Sequence, residues 1–267
     1  MEHINVIKVG GAVVEAPSAL ASLLDKFAQI PGAKVLVHGG GRSATRMAAS
    51  LGIDTQMVGG RRVTDEQMLK VVTMVYGGLV NKNVVASLQQ RGVNAVGLTG
   101  ADMNLMLSHK RPPKEMRMDD GRTRMVDFGV VGDVDQVNGS MLSTLVSNGL
   151  VPVVAPLTHD GKGHLLNTNA DTIAGQVACA LTPYYEVTLT FCFEKKGVLS
   201  NPNDEESVIR SINEAEFRRY VQEGVIAGGM TPKLENSFDA IHKGVSQVVI
   251  TNTEDLEGNR GTHIREF

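Results

Sequence analysis

The sequence predicts an α/β protein: a three-layer α/β/α sandwich whose mostly parallel central sheet is shared by two lobes and carries projecting β-hairpins. Three observations carry this expectation. Short β-branched runs alternate with amphipathic helical stretches along the chain, and two of those runs end in glycine turns that open onto helices. No internal repeat or low-complexity linker separates the halves, so both lobes share one sheet.

The first strand, Ile4 to Val9, stops at Gly10-Gly11. A helix follows near 18–30, where Leu20, Leu23, Leu24, Phe27 and Ile30 recur at helical spacing, and Pro31-Gly32 ends it. The strand 34–37 runs into His38-Gly39-Gly40-Gly41 and then into a helix over 43–50. A long helix over 65–90 takes Thr64 as N-cap with Gln67 at the capping-box position, and buries Met68, Val71, Val72, Val75 and Leu79. Gly77-Gly78 weakens its middle and marks a bend or a tight helix crossing. From Met103 to Val137 the rhythm breaks, with charged turns at 110–114 and at Asp119-Asp120-Gly121 between strand-like pieces, which reads as β-hairpins. The alternation resumes with a helix after Asn138, a strand at 150–155 and a helix at 170–181. Strands near 186–193 and 246–250 close the pattern, with helices near 214–222 and 231–243 between them.

With 267 residues, 42% of them hydrophobic, the chain is long enough for one large domain or two intimately joined lobes. A net charge of -3 supplies no general attraction to nucleic acid or to anionic membranes, so neither is an expected partner, and small anionic ligands would need locally reversed charge. Cys179 and Cys192 form no CxxC and join no Cys/His cluster, which suits two thiols in a reducing cytosol and suggests no metal site. The stretch from Met1 to Gly10 is too short and too charged for a signal peptide or a membrane span, so a cytoplasmic protein is expected.

Lys8 sits near the end of an apolar strand, where it either meets an anion such as phosphate or snorkels to water. Gly39-Gly40-Gly41 can present bare N–H groups and a helix N-terminus to an anion. Gly39 to Ala44 also fits the G-x-G-x-x-A form of a dinucleotide fingerprint, which keeps open a nicotinamide-dependent oxidoreductase; the turn closes the second strand, however, where a fingerprint would close the first. No P-loop motif occurs. Arg61-Arg62 precede a helix as a carboxylate clamp or as a solvated basic turn. Asn167-Thr168-Asn169-Ala170-Asp171 either caps a helix or sets two amides and an acid against a polar substrate. In Gly228-Gly229-Met230-Thr231-Pro232-Lys233, Thr231 as N-cap and Pro232 at the first helical position put Lys233 in the first turn. There its charge opposes the helix dipole unless an anion binds.

Taken together, Lys8-Val9-Gly10-Gly11, His38-Gly39-Gly40-Gly41, Arg62-Val63-Thr64-Asp65, Asn167 to Asp171 and Gly229 to Lys233 resemble the acetylglutamate kinases of the amino acid kinase superfamily, over essentially the whole chain. The resemblance implies a kinase that moves the γ-phosphoryl group of ATP, with Mg²⁺, onto the side-chain carboxylate of N-acetyl-L-glutamate in arginine biosynthesis. It implies an acylglutamate-binding and dimerising lobe over 1–168 and an ATP-binding lobe over 169–267. Lys8 and Lys233 would stabilise the transferring phosphoryl group, with Asp171 positioning both. Gly10, Gly11, Gly40 and Gly41 would donate N–H groups to phosphate and substrate oxygens. Arg62 would clamp the α-carboxylate, and Asn167 and Asn169 would contact the substrate. The nucleotide would lie near Lys196, Gly197, Leu199, Val225, Ile226 and Ala227.

Two departures from the family pattern stand out. Phe193-Glu194-Lys195 replaces a Ser/Thr-Asp-Val stretch, and Arg61 stands where an apolar residue is usual. The added charge suits a longer, dicarboxylic acyl group such as succinyl, so an N-succinylglutamate kinase of the same fold is the nearest alternative, and a non-catalytic acylglutamate sensor is another. Arginine-inhibited members resemble this chain but carry a helix before the first lysine, so a homodimer without arginine feedback is expected. The nucleophile requires no general base, because a glutamate side chain with a pKa of about 4.3 is already ionised at neutral pH.

Overall fold

The computed structural model describes residues 1–117, 121–228 and 230–266. Asp119 and Asp120 of the expected charged turn, and Gly229 of the expected glycine pair, lie outside the described residues. Eight strands form the central sheet: β1 (His3–Val9), β2 (Ala33–His38), β3 (Ala95–Leu98), β4 (Val151–Val154), β5 (Glu186–Phe193), β6 (Ser211–Ile212), β7 (Gln247–Asn252) and β8 (Thr262–Ile264). Their order is β6-β8-β7-β5-β1-β2-β4-β3, parallel except where β8 meets β7 in antiparallel fashion. The strand order reverses at β1, which pairs with β2 on one side and β5 on the other. In open α/β sheets that reversal opens a crevice at the carboxyl ends of the strands.

Alternation along β1 decides what meets what. Ile7 and Val9 pack into the layer built on helix Pro17–Gln29 with Leu23, Leu24 and Phe27. Ile4 and Val6 face the opposite layer, with Ile173, Ala174 and Val177 of helix Ala170–Leu181. Lys8 shares the parity of Ile4 and Val6, so it projects toward the face on which helix Ala170–Leu181 lies.

The segment expected as hairpins is more tightly integrated. Met106–Lys110 pairs antiparallel with Gly132–Val137, and a parallel pairing of Leu107 with His159 joins them to Leu157–His159 and Leu165–Asn167 in a second, four-stranded sheet. Lys114–Arg117 and Thr123–Val126 form a separate hairpin. Another hairpin pairs Met57–Val58 with Arg61–Arg62 through Gly59 and Gly60, both at positive φ, as a primed two-residue turn requires. Val58 of this hairpin packs on Phe128 and Val131.

The long helix differs from expectation at two points. Its cap is Asp65, whose carboxylate accepts from the Met68 N–H at 2.7 Å. Thr64 is instead buried, and its hydroxyl accepts from Asn167 Nδ2 at 2.8 Å. Between helices Glu66–Val72 and Asn81–Gln90 the backbone winds as a π-helix over Thr73–Val80. The wider turn shifts the inward face by about one residue, so Tyr76 and Val80 are buried while Leu79, expected in the core, is 51% exposed. Residues 66–90 are long and apolar enough to cross a membrane by length and composition, yet Met68, Val71, Val72 and Val75 pack against Ala44, Ala48 and Leu157 in the interior.

Candidate active site

The site grows from two adjacent strand ends. Val9 of β1 lies beside His38 of β2, so Gly10-Gly11 and Gly39-Gly40-Gly41 leave the sheet side by side. They touch so closely that a Cβ on Gly39 would lie 3.2 Å from the Gly11 nitrogen, and one on Gly11 would lie 3.4 Å from the Gly40 nitrogen. Side chains at either place would wedge the turns apart. Helix Gly41–Ser50 starts at the second turn. The N–H of Gly10 donates to the Cys192 carbonyl at 3.1 Å, which removes it from the expected set of donors to a ligand. The N–H groups of Gly11, Gly40 and Gly41 have no partner among the described residues and stay available.

Beside these turns three charged side chains meet. Asp171, in the first turn of helix Ala170–Leu181, holds Lys8 Nζ 2.6 Å from Oδ1 and accepts a hydrogen bond from Lys233 Nζ to Oδ2 at 2.9 Å. The Lys8 contact is short but poorly aligned for a hydrogen bond. Burial resists ionisation of Asp171, but the two ammonium groups outweigh it and hold the carboxyl below the usual carboxylate range. Burial depresses the Lys233 ammonium, with Asp171 opposing and Lys8 reinforcing. Helix Met230–His242 begins one residue before Thr231, so Thr231 lies inside the first turn that carries Lys233. The Phe193 ring supports both cations, its centroid 3.8 Å from Lys233 Nζ and 5.1 Å from Lys8 Nζ, and it stacks on Phe191 at 6.2 Å. Two cations on one anion leave a net charge of +1 in a largely dry setting, which a bound phosphate would offset.

Two cavities are bordered by chain neighbours of this cluster. The first, of about 200 Å³, is lined by Gly11, Gly40, Gly41, Arg61, Arg62, Arg111, Asn167 and Asn169, with no acidic residue in its wall. Arg62 is fixed by donating to the Gly41 carbonyl and to Thr45 Oγ1, each at 2.8 Å, and to Thr55 Oγ1 at 3.3 Å. Asn169 does cap the helix, its side chain accepting from the Asp171 and Thr172 N–H groups, while also lining the cavity. The second, of about 260 Å³, brings together Gly197, Leu199, Val225, Ile226 and Ala227. Lys196, grouped with them from the sequence, instead pairs with Glu206 in a short contact, and Lys195 takes its place in the wall. Ala170, next to Asp171 in the chain, borders the first cavity, and Met230, in the same helical turn as Lys233, borders the second.

The amino acid kinase family profile matches residues 3–252. An acetylglutamate kinase of Bacteroides fragilis is 62% identical over 265 residues, covering 99% of this chain and 98% of that protein. The chain belongs to the acetylglutamate kinases of the amino acid kinase family. The acetylglutamate kinase of Cytophaga hutchinsonii is 52% identical over 256 residues, covering 96% of this chain and 94% of its own length. The solved structure of a Streptococcus mutans protein matches with a TM-score of 0.78 at 27% identity, covering 99% of each chain. As an acetylglutamate kinase the chain is a phosphotransferase, and the dinucleotide-like run at Gly39 to Ala44 belongs to a kinase glycine turn.

This kinase also rests on His38, which the sequence placed in a motif without a role, and on Asn81, which it did not single out. His38, fully buried beneath the second glycine turn, makes a hydrogen bond from Nδ1 to the Gly39 carbonyl at 2.9 Å, and its Nε2 accepts from Asn81 Nδ2 at 3.1 Å. Burial, with a smaller contribution from Lys82, pushes its pKa down to about 4 against the Gly39 bond that favours the charged form. Protonation would set a cation against the Asn81 amide donors. The unfolded chain takes up that proton near pH 6.5 and the folded chain near 4, so stability falls as pH drops through this window, by roughly 3 kcal/mol in all. Urea unfolding of the wild type and His38→Gln at pH 7 and pH 4.5 tests this. The wild type should lose distinctly more stability than the variant, and parallel losses would refute the assignment.

Proposed function

We propose that this chain transfers the γ-phosphoryl group of ATP to the side-chain carboxylate of N-acetyl-L-glutamate, giving N-acetyl-L-glutamyl 5-phosphate and ADP for arginine biosynthesis. The observation that carries the reading is the Lys8–Asp171–Lys233 cluster with its excess positive charge, whose chain neighbours Ala170 and Met230 border an acid-free arginine cavity and a second cavity walled by Gly197, Leu199 and Val225. Phosphoryl transfer needs little covalent chemistry from a protein, because the acceptor carboxylate is already ionised and charge spreads over the equatorial oxygens in transit. Ammonium groups and oriented N–H groups meet that charge, the ammonium groups from Lys8 and Lys233 and the N–H groups from Gly11, Gly40 and Gly41.

In this reading residues 1–168 hold the acylglutamate and residues 169–267 the nucleotide. Arg62 takes the α-carboxylate, with Asn167 and Asn169 on the amide side. The nucleotide lies along Gly197, Leu199, Val225, Ile226 and Ala227. Mg²⁺ would enter on the ATP phosphates and neutralise part of their charge. The enzyme acts in the cytoplasm, where a reducing poise suits the free thiols Cys179 and Cys192. It works as a homodimer, and Met74 and Leu79, 55% and 51% exposed on one π-helical stretch, offer an apolar surface for the second copy.

Coupled-enzyme detection of ADP, with and without N-acetyl-L-glutamate, tests the reading. Acylglutamate-dependent ADP release is expected, whereas binding without release would mark a non-catalytic sensor. In the same assay Arg62→Ala should raise KM for the acylglutamate about 10- to 100-fold with a smaller change in kcat, because it grips a part of the substrate that does not react. An unchanged KM would remove Arg62 from the clamp.

A further inference from the structure

We infer that Arg61 is the receptor for an additional carboxylate at the far end of the acyl group, so that the preferred acceptor is a dicarboxylic N-acylglutamate such as N-succinyl-L-glutamate. This rests on the acylglutamate kinase reading above and specifies its substrate class. Arg61, Arg62 and Arg111 line the first cavity, and its wall contains no acidic residue. Arg111 is already neutralised, with Nε and Nη2 donating to Asp133 Oδ1 at 2.9 and 2.6 Å and the guanidinium 5.7 Å from the Phe128 ring. Arg62 is built into the wall through Gly41, Thr45 and Thr55, all neutral acceptors, which leaves its charge for one substrate carboxylate.

Arg61 has neither arrangement. It is half-buried and has no hydrogen-bond or ion-pair partner among the described residues. Burial, followed by repulsion from the Arg111 guanidinium, lowers its pKa, with Asp133 and Glu235 only partly opposing. A guanidinium withdrawn from water toward a like charge is unfavourable unless an anion arrives to pair with it. Its placement is also firmly specified. The Gly59-Gly60 turn fixes the hairpin register, and Val58 anchors the hairpin on Phe128 and Val131. Arg61 therefore meets the cavity as a built feature of its wall.

Charge counting then identifies the ligand. An N-acetylglutamate brings two carboxylates; one receives the phosphoryl group beside Lys8 and Lys233, and the other is taken by Arg62. Nothing anionic remains for Arg61. A succinyl group supplies a third carboxylate on a flexible two-carbon spacer, and a planar guanidinium can bind it through paired hydrogen bonds.

The test is the kcat/KM of the wild type and of Arg61→Leu with N-succinyl-L-glutamate and N-acetyl-L-glutamate, read by ADP release. The wild type should favour the succinyl compound at least about tenfold, and Arg61→Leu should reduce that ratio by about tenfold or more, mainly through KM. Arg61→Lys, which keeps the charge without the fork, should fall between the two. Equal or better use of the acetyl compound by the wild type, or an equal loss on both compounds in Arg61→Leu, would overturn the inference while leaving the kinase reading intact. ADP release with neither compound would overturn the kinase reading and this inference with it.

Discussion

Lys8→Ala and Lys233→Ala should each lower kcat by at least about 10²–10³-fold, the loss seen when one preorganised donor to a developing oxyanion is removed, with the fold retained. The fold should survive because each variant leaves Asp171 a lysine partner, Lys233 (2.9 Å away in the unsubstituted protein) in Lys8→Ala and Lys8 (2.6 Å) in Lys233→Ala. The effect belongs mainly to kcat, because the two cations face charge that spreads over the phosphoryl oxygens in the transition state. Single-turnover assays at saturating ATP and acylglutamate separate this from weakened binding, and wild-type-like turnover in either variant would remove that lysine from the chemistry.

Asp171→Asn should have a second large effect, on stability as well as rate. The carboxylate side chain is 13% exposed and is the shared counter-ion of two ammonium groups. Replacing it with a neutral amide leaves those cations facing each other in a dry setting. Breaking a buried pair in this way costs on the order of 3 kcal/mol, some of which the partial exposure of Lys233 relieves. For a chain of this size that corresponds to a fall in Tm of roughly 6–10 °C, accompanied by a drop in kcat as the two cations lose their common anchor. Phe193 would still stand beside both lysines but cannot replace an anion. A variant with unchanged Tm would show that Asp171 does not hold the lysines together in solution.

The central sheet was legible from alternation and local punctuation, and each lysine was marked singly by its position, while their meeting at Asp171 was what the family resemblance implied. Lys8 is a charged residue in an apolar strand, and parity along that strand sends it toward the helix that begins beside Asp171. Lys233 was marked by its position in a helix first turn, against the dipole. What escaped depends on partners distant in sequence. No local signal shows that the Gly10 N–H is taken by Cys192, that Lys196 turns to Glu206, or that His38 sits on Asn81. Leu79 was misplaced for a different reason. A 3.6-residue period extrapolated through Thr73–Val80 fails once the backbone widens to a π-helix, and Val80 takes the inward position. The strands Ser211–Ile212 and Thr262–Ile264 were too short for any periodicity to register. Phe193 appeared in the sequence only as a departure from the family pattern, and three-dimensional placement made it a support for both lysines.

The most direct measurement is a crystal structure with ADP, Mg²⁺, aluminium fluoride and N-acetyl-L-glutamate, in which the metal fluoride occupies the place of the phosphoryl group in flight. Lys8 Nζ and Lys233 Nζ should both lie within about 3 Å of that one group, with Asp171 still between them. A fluoride group contacted by neither nitrogen, or by one while the other faces a separate cavity, would contradict the account.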